Sequence, residues 1–338
     1  MAKKATKKRA RKPRVVKSDD IYQVSEPAPR MFSTGCTLLD CVLGGGWAYR
    51  RMANIVGDRS TGKTLLAIEA CANFEKENPD GRIVYCEAEA AFDADYAEAL
   101  GLPRGKVEFP EGIDTVEDFF ELLQGMYGED RPTLLVIDSL DALSDRDELK
   151  RDIDKGSFGQ NKQKKISEMF RREVRKLYKS NITLIVVSQV RDAIGVQFGE
   201  KLKRSGGRAM DFYATHTLWL SNLGQVAVTR KKIKRTIGVK VKARCKKNKI
   251  SAPYRECEFP LIFEFGVEDL EAGVDWLISV KRTDSIGLSE DKATKLRRSI
   301  STLSDEKYDE YRQIVSDAVK EVWADIERDF KPKRRKYR

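Results

Sequence analysis

The segment Gly57-Asp-Arg-Ser-Thr-Gly-Lys-Thr64 gathers more chemistry into eight residues than any other part of the chain. It fits the phosphate-loop pattern G-x-x-x-x-G-K-[ST], with an apolar run before it and helical spacing after it. Glycines let backbone N–H groups close around phosphate oxygens, and a helix that starts at the loop adds the positive end of its dipole. Gly57, Asp58, Arg59, Ser60, Thr61, Gly62, Lys63 and Thr64 are therefore expected to cradle ATP. Lys63 would reach the β- and γ-phosphates, and the Thr64 hydroxyl would ligate Mg²⁺.

Two acidic positions complete such a site. Asp138 ends the run Thr133-Leu-Leu-Val-Ile, where a carboxylate at the edge of a buried strand can hold the Mg²⁺ shell. The run Arg82-Ile-Val-Tyr-Cys leads into Glu87-Ala-Glu-Ala-Ala-Phe-Asp, and one of its carboxylates is placed to orient or deprotonate an attacking water. Spacing alone leaves Glu87 and Glu89 both open. Other chemistries are poorly supplied. His216 is the single histidine, and the six cysteines (Cys36, Cys41, Cys71, Cys86, Cys245, Cys257) contain no C-x-x-C pair. Zinc binding, a disulfide framework and histidine-dependent nucleophilic catalysis are disfavoured accordingly.

These groups need a parallel sheet to hold them. Met52–Val56, Arg82–Cys86, Thr133–Asp138 and Ile182–Gln189 read as strands, the last two as fully buried ones, and helical patterns alternate with them. A short helix starts near Thr37 and closes at Gly44–Gly46. Residues 165–180 form an amphipathic helix with Ile166, Met169, Phe170, Val174, Leu177 and Tyr178 on its apolar face. From about Val226 the pattern turns to short β segments. Residues 288–330 read as helices, the last with Tyr308, Tyr311, Val315, Ala318, Val322 and Ile326 in register. The expected fold is α/β, a mainly parallel sheet flanked by helices with a small helical C-terminal region. Its expected divisions are a basic N-terminal arm over 1–28, a core over 29–275, a helical region over 276–330 and a basic tail over 331–338.

Charge is distributed unevenly. Residues 1–17 hold nine Lys/Arg and residues 331–338 hold six, neither with an acid, so these ends exceed the net +11 and the middle is slightly acidic. A third block, residues 226–250, holds eleven Lys/Arg and no acid. Such blocks suit sequence-blind contact with a polyanion. No apolar run is long enough for a membrane helix and the start has no secretory stretch, so a cytoplasmic protein, located with DNA, is expected.

The motifs together resemble the RecA recombinases over about residues 30–275. Ser33-Thr-Gly-Cys-Thr-Leu-Leu-Asp, the phosphate loop, Glu87-Ala-Glu-Ala-Ala-Phe-Asp-Ala-Asp-Tyr and Val136-Ile-Asp-Ser-Leu would fit several RecA-like ATPases. Val187-Ser-Gln-Val-Arg-Asp-Ala-Ile-Gly-Val-Gln-Phe-Gly, Gly206-Gly-Arg-Ala-Met-Asp-Phe-Tyr-Ala and Lys247-Asn-Lys-Ile-Ser-Ala-Pro-Tyr are narrower and point to the recombinases. The resemblance implies a RecA-like ATPase core and assigns water activation to Glu89, adenine contact to Asp93 and Tyr96, and γ-phosphate sensing to Gln189. It gives Lys247 and Lys249 to a neighbouring subunit's ATP, and their spacing suits one side of a strand. Two loops are implied to meet DNA: one through Phe158 and Lys164, the other through Arg191, Phe198, Gly206, Gly207 and Arg208.

The implied activity is a DNA-dependent ATPase, using ATP and Mg²⁺, that polymerises on single-stranded DNA and pairs it with a homologous duplex. A RecA-core helicase or loader, and a DNA-binding protein using ATP only as an assembly switch, are the competing readings. The chain departs from bacterial members in four respects. It lacks a convincing docking helix in residues 1–28, its C-terminus is basic, Ser188 stands where they have Asn, and Ala90 replaces a histidine. These mark a divergent member, of the sort a virus or mobile element carries.

Overall fold

Strand residues alternate between two cores, and that alternation builds the molecule. The computed structural model describes residues 29–150, 159–192, 202–204, 209–334 and 336. In chain order its elements are β1 (Met31–Phe32), α1 (Thr37–Leu43), β2 (Trp47–Ala48), β3 (Met52–Gly57), α2 (Lys63–Glu77), β4 (Arg82–Glu87), α3 (Ala94–Ala99), β5 (Val107–Glu108), α4 (Val116–Gly125), β6 (Thr133–Asp138) and α5 (Arg146–Leu149). There follow α6 (Gly159–Lys179), β7 (Ile182–Asp192), β8 (Leu202–Arg204), α7 (Ala209–Tyr213), β9 (His216–Arg230), β10 (Ile233–Asn248), β11 (Arg255–Ile262), β12 (Gly266–Val267), α8 (Asp269–Ser279), α9 (Glu290–Ser299) and α10 (Asp305–Asp329).

The main sheet runs β12-β11-β10-β9-β3-β7-β6-β4-β5, with β8 paired to β7 alone. From β9 to β5 every pairing is parallel, and β10, β11 and β12 continue it antiparallel. Ala53, Ile55, Tyr85, Leu134, Val136, Ile185 and Val187 face one core with α1, α2, α8 and α10. Met52, Val84, Cys86, Leu135, Ile137, Leu184 and Val186 face the other with α4, α6 and α7. A strand covered on both faces is largely apolar, and β6 runs Leu-Leu-Val-Ile between Thr133 and Asp138 while β3 is broken only by the buried Asn54.

The expected strands form at β3, β4, β6 and β7, and α1 ends at Gly44 in the left-handed region (φ +92°). In α10, Val315, Ala318 and Val322 are buried, with Tyr308, Tyr311 and Ile326 packed beside them. Three details differ from the sequence reading. In place of short β segments from Val226 there is one long hairpin, β9 of 15 residues and β10 of 16. Past Leu220 its strand β9 is largely exposed on both faces, so the alternation that marks a half-buried strand is missing. Tyr178 leaves the apolar face of α6 and is 38% exposed, with the Arg51 guanidinium 3.7 Å above its ring. The charged Glu173 is buried on α6 instead, accepting hydrogen bonds from Lys176 at 2.9 Å and Gln124 at 3.3 Å. The line expected between 275 and 276 runs through α8, and Leu270, Val274, Val315 and Val322 share one core with the sheet.

The C-terminal helices meet the sheet around a buried acid. Glu69 on α2 is 7% exposed and accepts the Val267 N–H at 3.1 Å. Gly35 leaves room for it, since a Cβ there would lie 2.4 Å from its Oε1. Burial pushes the Glu69 carboxyl up to about 7, against the pull of the Val267 N–H and Arg312. The native state therefore holds this proton at pH values where the unfolded chain has released it. The associated stability is fully present below about pH 4.5 and is lost as pH rises through about 7. Glu69→Gln keeps an acceptor for Val267 and removes the ionisation. Its stability is expected to match the parent near pH 4 and to exceed it increasingly towards pH 8, by at most about 3 kcal/mol, seen as a Tm difference that widens with pH. A Tm difference that does not grow with pH would contradict this linkage.

Candidate functional site

Parallel register sets the site. Gly57 at the end of β3 pairs with Gln189 on β7, and Glu87 at the end of β4 pairs with Asp138 at the end of β6. Four strand ends thus open on one edge, where Gly62, in the left-handed region (φ +83°), caps α2. Neither glycine tolerates a side chain. A Cβ on Gly57 would meet Thr61 Oγ1 at 2.4 Å, and one on Gly62 would meet Leu261 Cδ1 at 2.9 Å. Lys63 and Thr64 are the first residues of α2, so the loop's N–H groups and the helix dipole point the same way.

A cavity of about 400 Å³ lies over this loop, lined by Arg59, Ser60, Thr61, Gly62, Lys63, Thr64, Leu65, Glu89, Gln189, Val239 and Phe263. Asp58 is exposed beside it, and its carbonyl accepts the Lys63 ammonium at 2.7 Å and the Thr61 hydroxyl at 2.8 Å. Burial lowers the Lys63 pKa from its ordinary value, while Asp138, Glu89, Asp58 and Asp141 draw it back up. Asp138 is 3% exposed and accepts the Tyr85 hydroxyl at 2.8 Å. Burial raises its carboxyl above the usual range, opposed by hydrogen bonds from Thr64 and Tyr85, and by Lys63.

These residues suit a magnesium nucleotide. A buried carboxylate beside a hydroxyl gains from a hard cation that favours its charged form. Among the described residues no cluster of three or more metal-binding side chains occurs. Mg²⁺ needs none, because it keeps waters and takes its remaining oxygens from phosphate.

The two acidic candidates separate. Glu87 closes its own turn, accepting the backbone N–H of Ala91 and, at 2.6 Å, of Phe92. Glu89 enters the cavity, where its Oε1 accepts from the Ser139 hydroxyl and from Gln189 Nε2 at 2.7 Å. Gln189 is fixed in turn by its own N–H, which donates to Asp141 at 2.6 Å. Asp93 and Tyr96 do not line the cavity. Asp93 caps α3 by accepting the Tyr96 N–H at 2.8 Å, and the Tyr96 ring is only 2% exposed within the core. The expected stacking face is therefore turned inward in this conformation. The first turn of α3 buries Tyr96 and Ala97 in the core beside α2.

Lys247 and Lys249 lie at the opposite edge. Lys247 pairs with Thr217, which pairs with Asn54, three residues short of Gly57. At about 3.3 Å per residue, that is about 10 Å from the phosphate-loop end along the strand. The two lysines do not share a strand face, because β10 ends at Asn248 and its register slips between Cys245 and Lys247. Lys249 Nζ donates to the carbonyls of Phe212 at 3.1 Å and Tyr213 at 3.4 Å, and burial lowers its pKa. Lys164 is exposed on α6. Arg191 lies on β7 opposite Lys203, with its side chain outside the described residues, as are Phe158, Phe198, Gly206, Gly207 and Arg208 altogether.

Sequence reasoning missed Val239 and Phe263, which close the cavity from the antiparallel side. It also missed Ser139 and Asp141, which hold Glu89 and Gln189, and Asn222, whose Nδ2 donates to the Ser60 carbonyl at 3.1 Å. Only Ser139 carried a signal, directly following Asp138.

The chain's relatives agree with this architecture. Residues 9–268 match the family model for the RecA N-terminal domain. Protein RecA of Nostoc sp. is 35% identical over 243 residues, 72% of this chain and 66% of its own, just under two thirds of that relative. Protein RecA of Corynebacterium efficiens is 30% identical over 294 residues, 83% of this chain and 74% of its own. The chloroplastic DNA repair protein recA homolog 1 of Arabidopsis thaliana is 33% identical over 244 residues, 72% of this chain and 54% of its own. With a phosphate loop on the central strand of a mainly parallel sheet and the family model matched over most of its length, the chain belongs to the RecA family.

Proposed function

We propose that the protein is an ATP-dependent recombinase, a DNA-dependent ATPase that polymerises on single-stranded DNA and pairs it with a homologous duplex. The observation that carries this reading is the Gln189–Glu89 hydrogen bond at 2.7 Å. It joins the cavity over the phosphate loop to β7, the strand that continues to Asp192 and pairs outward with β8. A change at the γ-phosphate end of a nucleotide is thereby felt on the ribbon that brackets residues 193–201.

In this mechanism the loop N–H groups and the Lys63 ammonium hold the phosphates, and Lys63 releases the Asp58 carbonyl to do so. Thr64 and Asp138 would hold Mg²⁺, which would supply charge neutralisation at the transferring phosphoryl group. Glu89 accepts the proton of the attacking water, and Ser139 and Gln189 aim its carboxylate. Lys247 and Lys249, at the far edge, serve the ATP of a neighbouring subunit. Among the described residues no helix is long and apolar enough to cross a membrane.

Lys63→Ala is expected to abolish single-strand-stimulated ATP turnover and strand exchange, and near-parental turnover would sink the phosphate-loop assignment. Glu89→Gln should bind nucleotide normally while slowing hydrolysis about 100-fold or more, the usual scale for general-base loss. Glu87→Gln, which keeps an acceptor for Ala91 and Phe92, should stay within about threefold of the parent. The reverse order would reassign the base.

Lys247→Ala and Lys249→Ala should each bind nucleotide yet lose DNA-stimulated turnover. Mixing either with the Glu89→Gln protein should restore part of it at mixed interfaces. Turnover that stays flat at every mixing ratio would refute the shared site.

A further inference from the structure

The β9–β10 hairpin carries more charge than its fold can use. Its cations fall into two groups. Near the sheet, Lys240 pairs with Glu258 at 3.2 Å, Lys242 with Glu256 at 2.7 Å, and Lys246 lies 3.7 Å above the Trp219 ring. Towards the tip, the side chains of Arg230, Lys231, Lys232, Lys234 and Arg235 are exposed and meet no acid or ring among the described residues. Gly238 still pairs with Ile262 and the Ile237 carbonyl accepts the Phe263 N–H, but from the Ala227–Thr236 pair outward neither strand has another neighbour among the described strands. That leaves a free two-stranded ribbon about 10 Å long up to the Arg230–Ile233 pair, at about 3.3 Å per residue. It projects past the edge where β3 ends at Gly57, because β9 runs parallel to β3 and Leu220 is the partner of Gly57.

The turn shows that this charge is kept at a cost. Arg230 pairs with Ile233 across a two-residue turn, and Lys231 and Lys232 both sit in the left-handed region, with φ of +49° and +64°. Such a turn is best made by Asn-Gly, and a residue with a long side chain pays a steric penalty at each position. Two lysines held there place two ammonium groups at the very end of the ribbon. Cations meant only to keep an edge strand from aggregating would belong on the strands and gain nothing at the turn.

We infer that the tip of the β9–β10 hairpin is a binding surface for the phosphate backbone of duplex DNA, separate from the two loops and from the nucleotide cavity. The charge is arranged all round the ribbon. Arg230 and Arg235 stand on one face, Lys234 on the other, and Lys231 and Lys232 at the end, as follows from the alternation along each strand. A partner with a flat surface would call for one charged face. A groove walled by phosphate on both sides calls for charge on both faces, and the major groove, about 12 Å wide, admits a two-stranded ribbon. The inference rests on reading the protein as one that acts on DNA, and it adds a duplex contact on a particular ribbon to that reading.

The test uses the full chain. Lys231→Asn with Lys232→Gly installs the preferred turn while removing two charges, so Tm should equal or exceed the parent's. On duplex DNA of mixed sequence, the slope of log affinity against log salt should become shallower by about 1.8, that is about 0.9 per lost phosphate contact. Between 50 and 200 mM salt, parental affinity should then fall about 12-fold further than the variant's. Arg230→Gln, Lys234→Gln and Arg235→Gln together should shift the slope further in the same direction. Single-strand affinity should hardly change in either variant. An unchanged duplex slope at intact Tm overturns the inference and leaves an acidic protein partner as the reading for the patch. An equal change on single strands and duplex overturns the duplex assignment in favour of a general polyanion contact. Failure of the parent protein to exchange strands, with the duplex slope change intact, would remove the recombinase reading and leave this surface standing.

Discussion

Everything in the site depends on the parallel register of β3, β7, β6 and β4. Strands that run the same way end on the same edge, so groups far apart in sequence arrive together: Gly57 beside Gln189, and Asp138 beside Glu87. Both faces of these strands are covered, and a slip of one residue would send side chains fitted to one core into the other. Ala53 and Ile55 against Met52 show the consequence, with neighbours in sequence committed to opposite hydrophobic clusters. Packing on either face therefore fixes distances within the polar edge, although few core side chains touch it.

This explains what was legible in the sequence. Buried strands are largely apolar runs, and β3, β6 and β7 were read on that basis, with Asp138 taken from the end of one of them; Gln189 came only from the resemblance. The phosphate loop was legible because its chemistry is local: two glycines, a lysine and a hydroxyl act within eight residues. Glu87 and Glu89 could not be separated from spacing, because their difference is tertiary. One closes its own turn, and the other meets Ser139 and Gln189, which come from two other strands. Tyr96 was placed on other grounds. Its role came from the family resemblance alone, and its burial depends on which face of α3 turns into the core.

The antiparallel half was the least legible, and the cause is again burial. β9 and β10 leave the cover of the helices after about Leu220, so neither two-residue alternation nor an apolar run marks them. Composition did register there as eleven cations without an acid. Composition could not say that the cations divide into a paired set facing Glu256 and Glu258 and an unpaired set at the turn. Val239 and Phe263 belong to the same blind region, and they close the nucleotide cavity from a side where no motif is written.

The two edges of the sheet carry complementary equipment, and this bears on assembly. The phosphate-loop edge holds the carboxylates Asp138, Glu89 and Asp141, while the opposite edge gathers Lys249, Arg50 and Arg51 around a cavity of about 500 Å³. A subunit whose own lysines stand about 10 Å along the strand from its loop end gains nothing from them at its own nucleotide. On the proposed reading those lysines act only if one subunit's far edge meets the next subunit's loop edge, a head-to-tail contact. Contacts of that kind generate a ring if the rotation closes and an open helix if it does not. Polarity of this sort is already built into a parallel sheet, whose two edges are chemically different because every strand starts at one and ends at the other. An antiparallel sheet, with starts and ends mixed on both edges, would offer no such direction to an assembly.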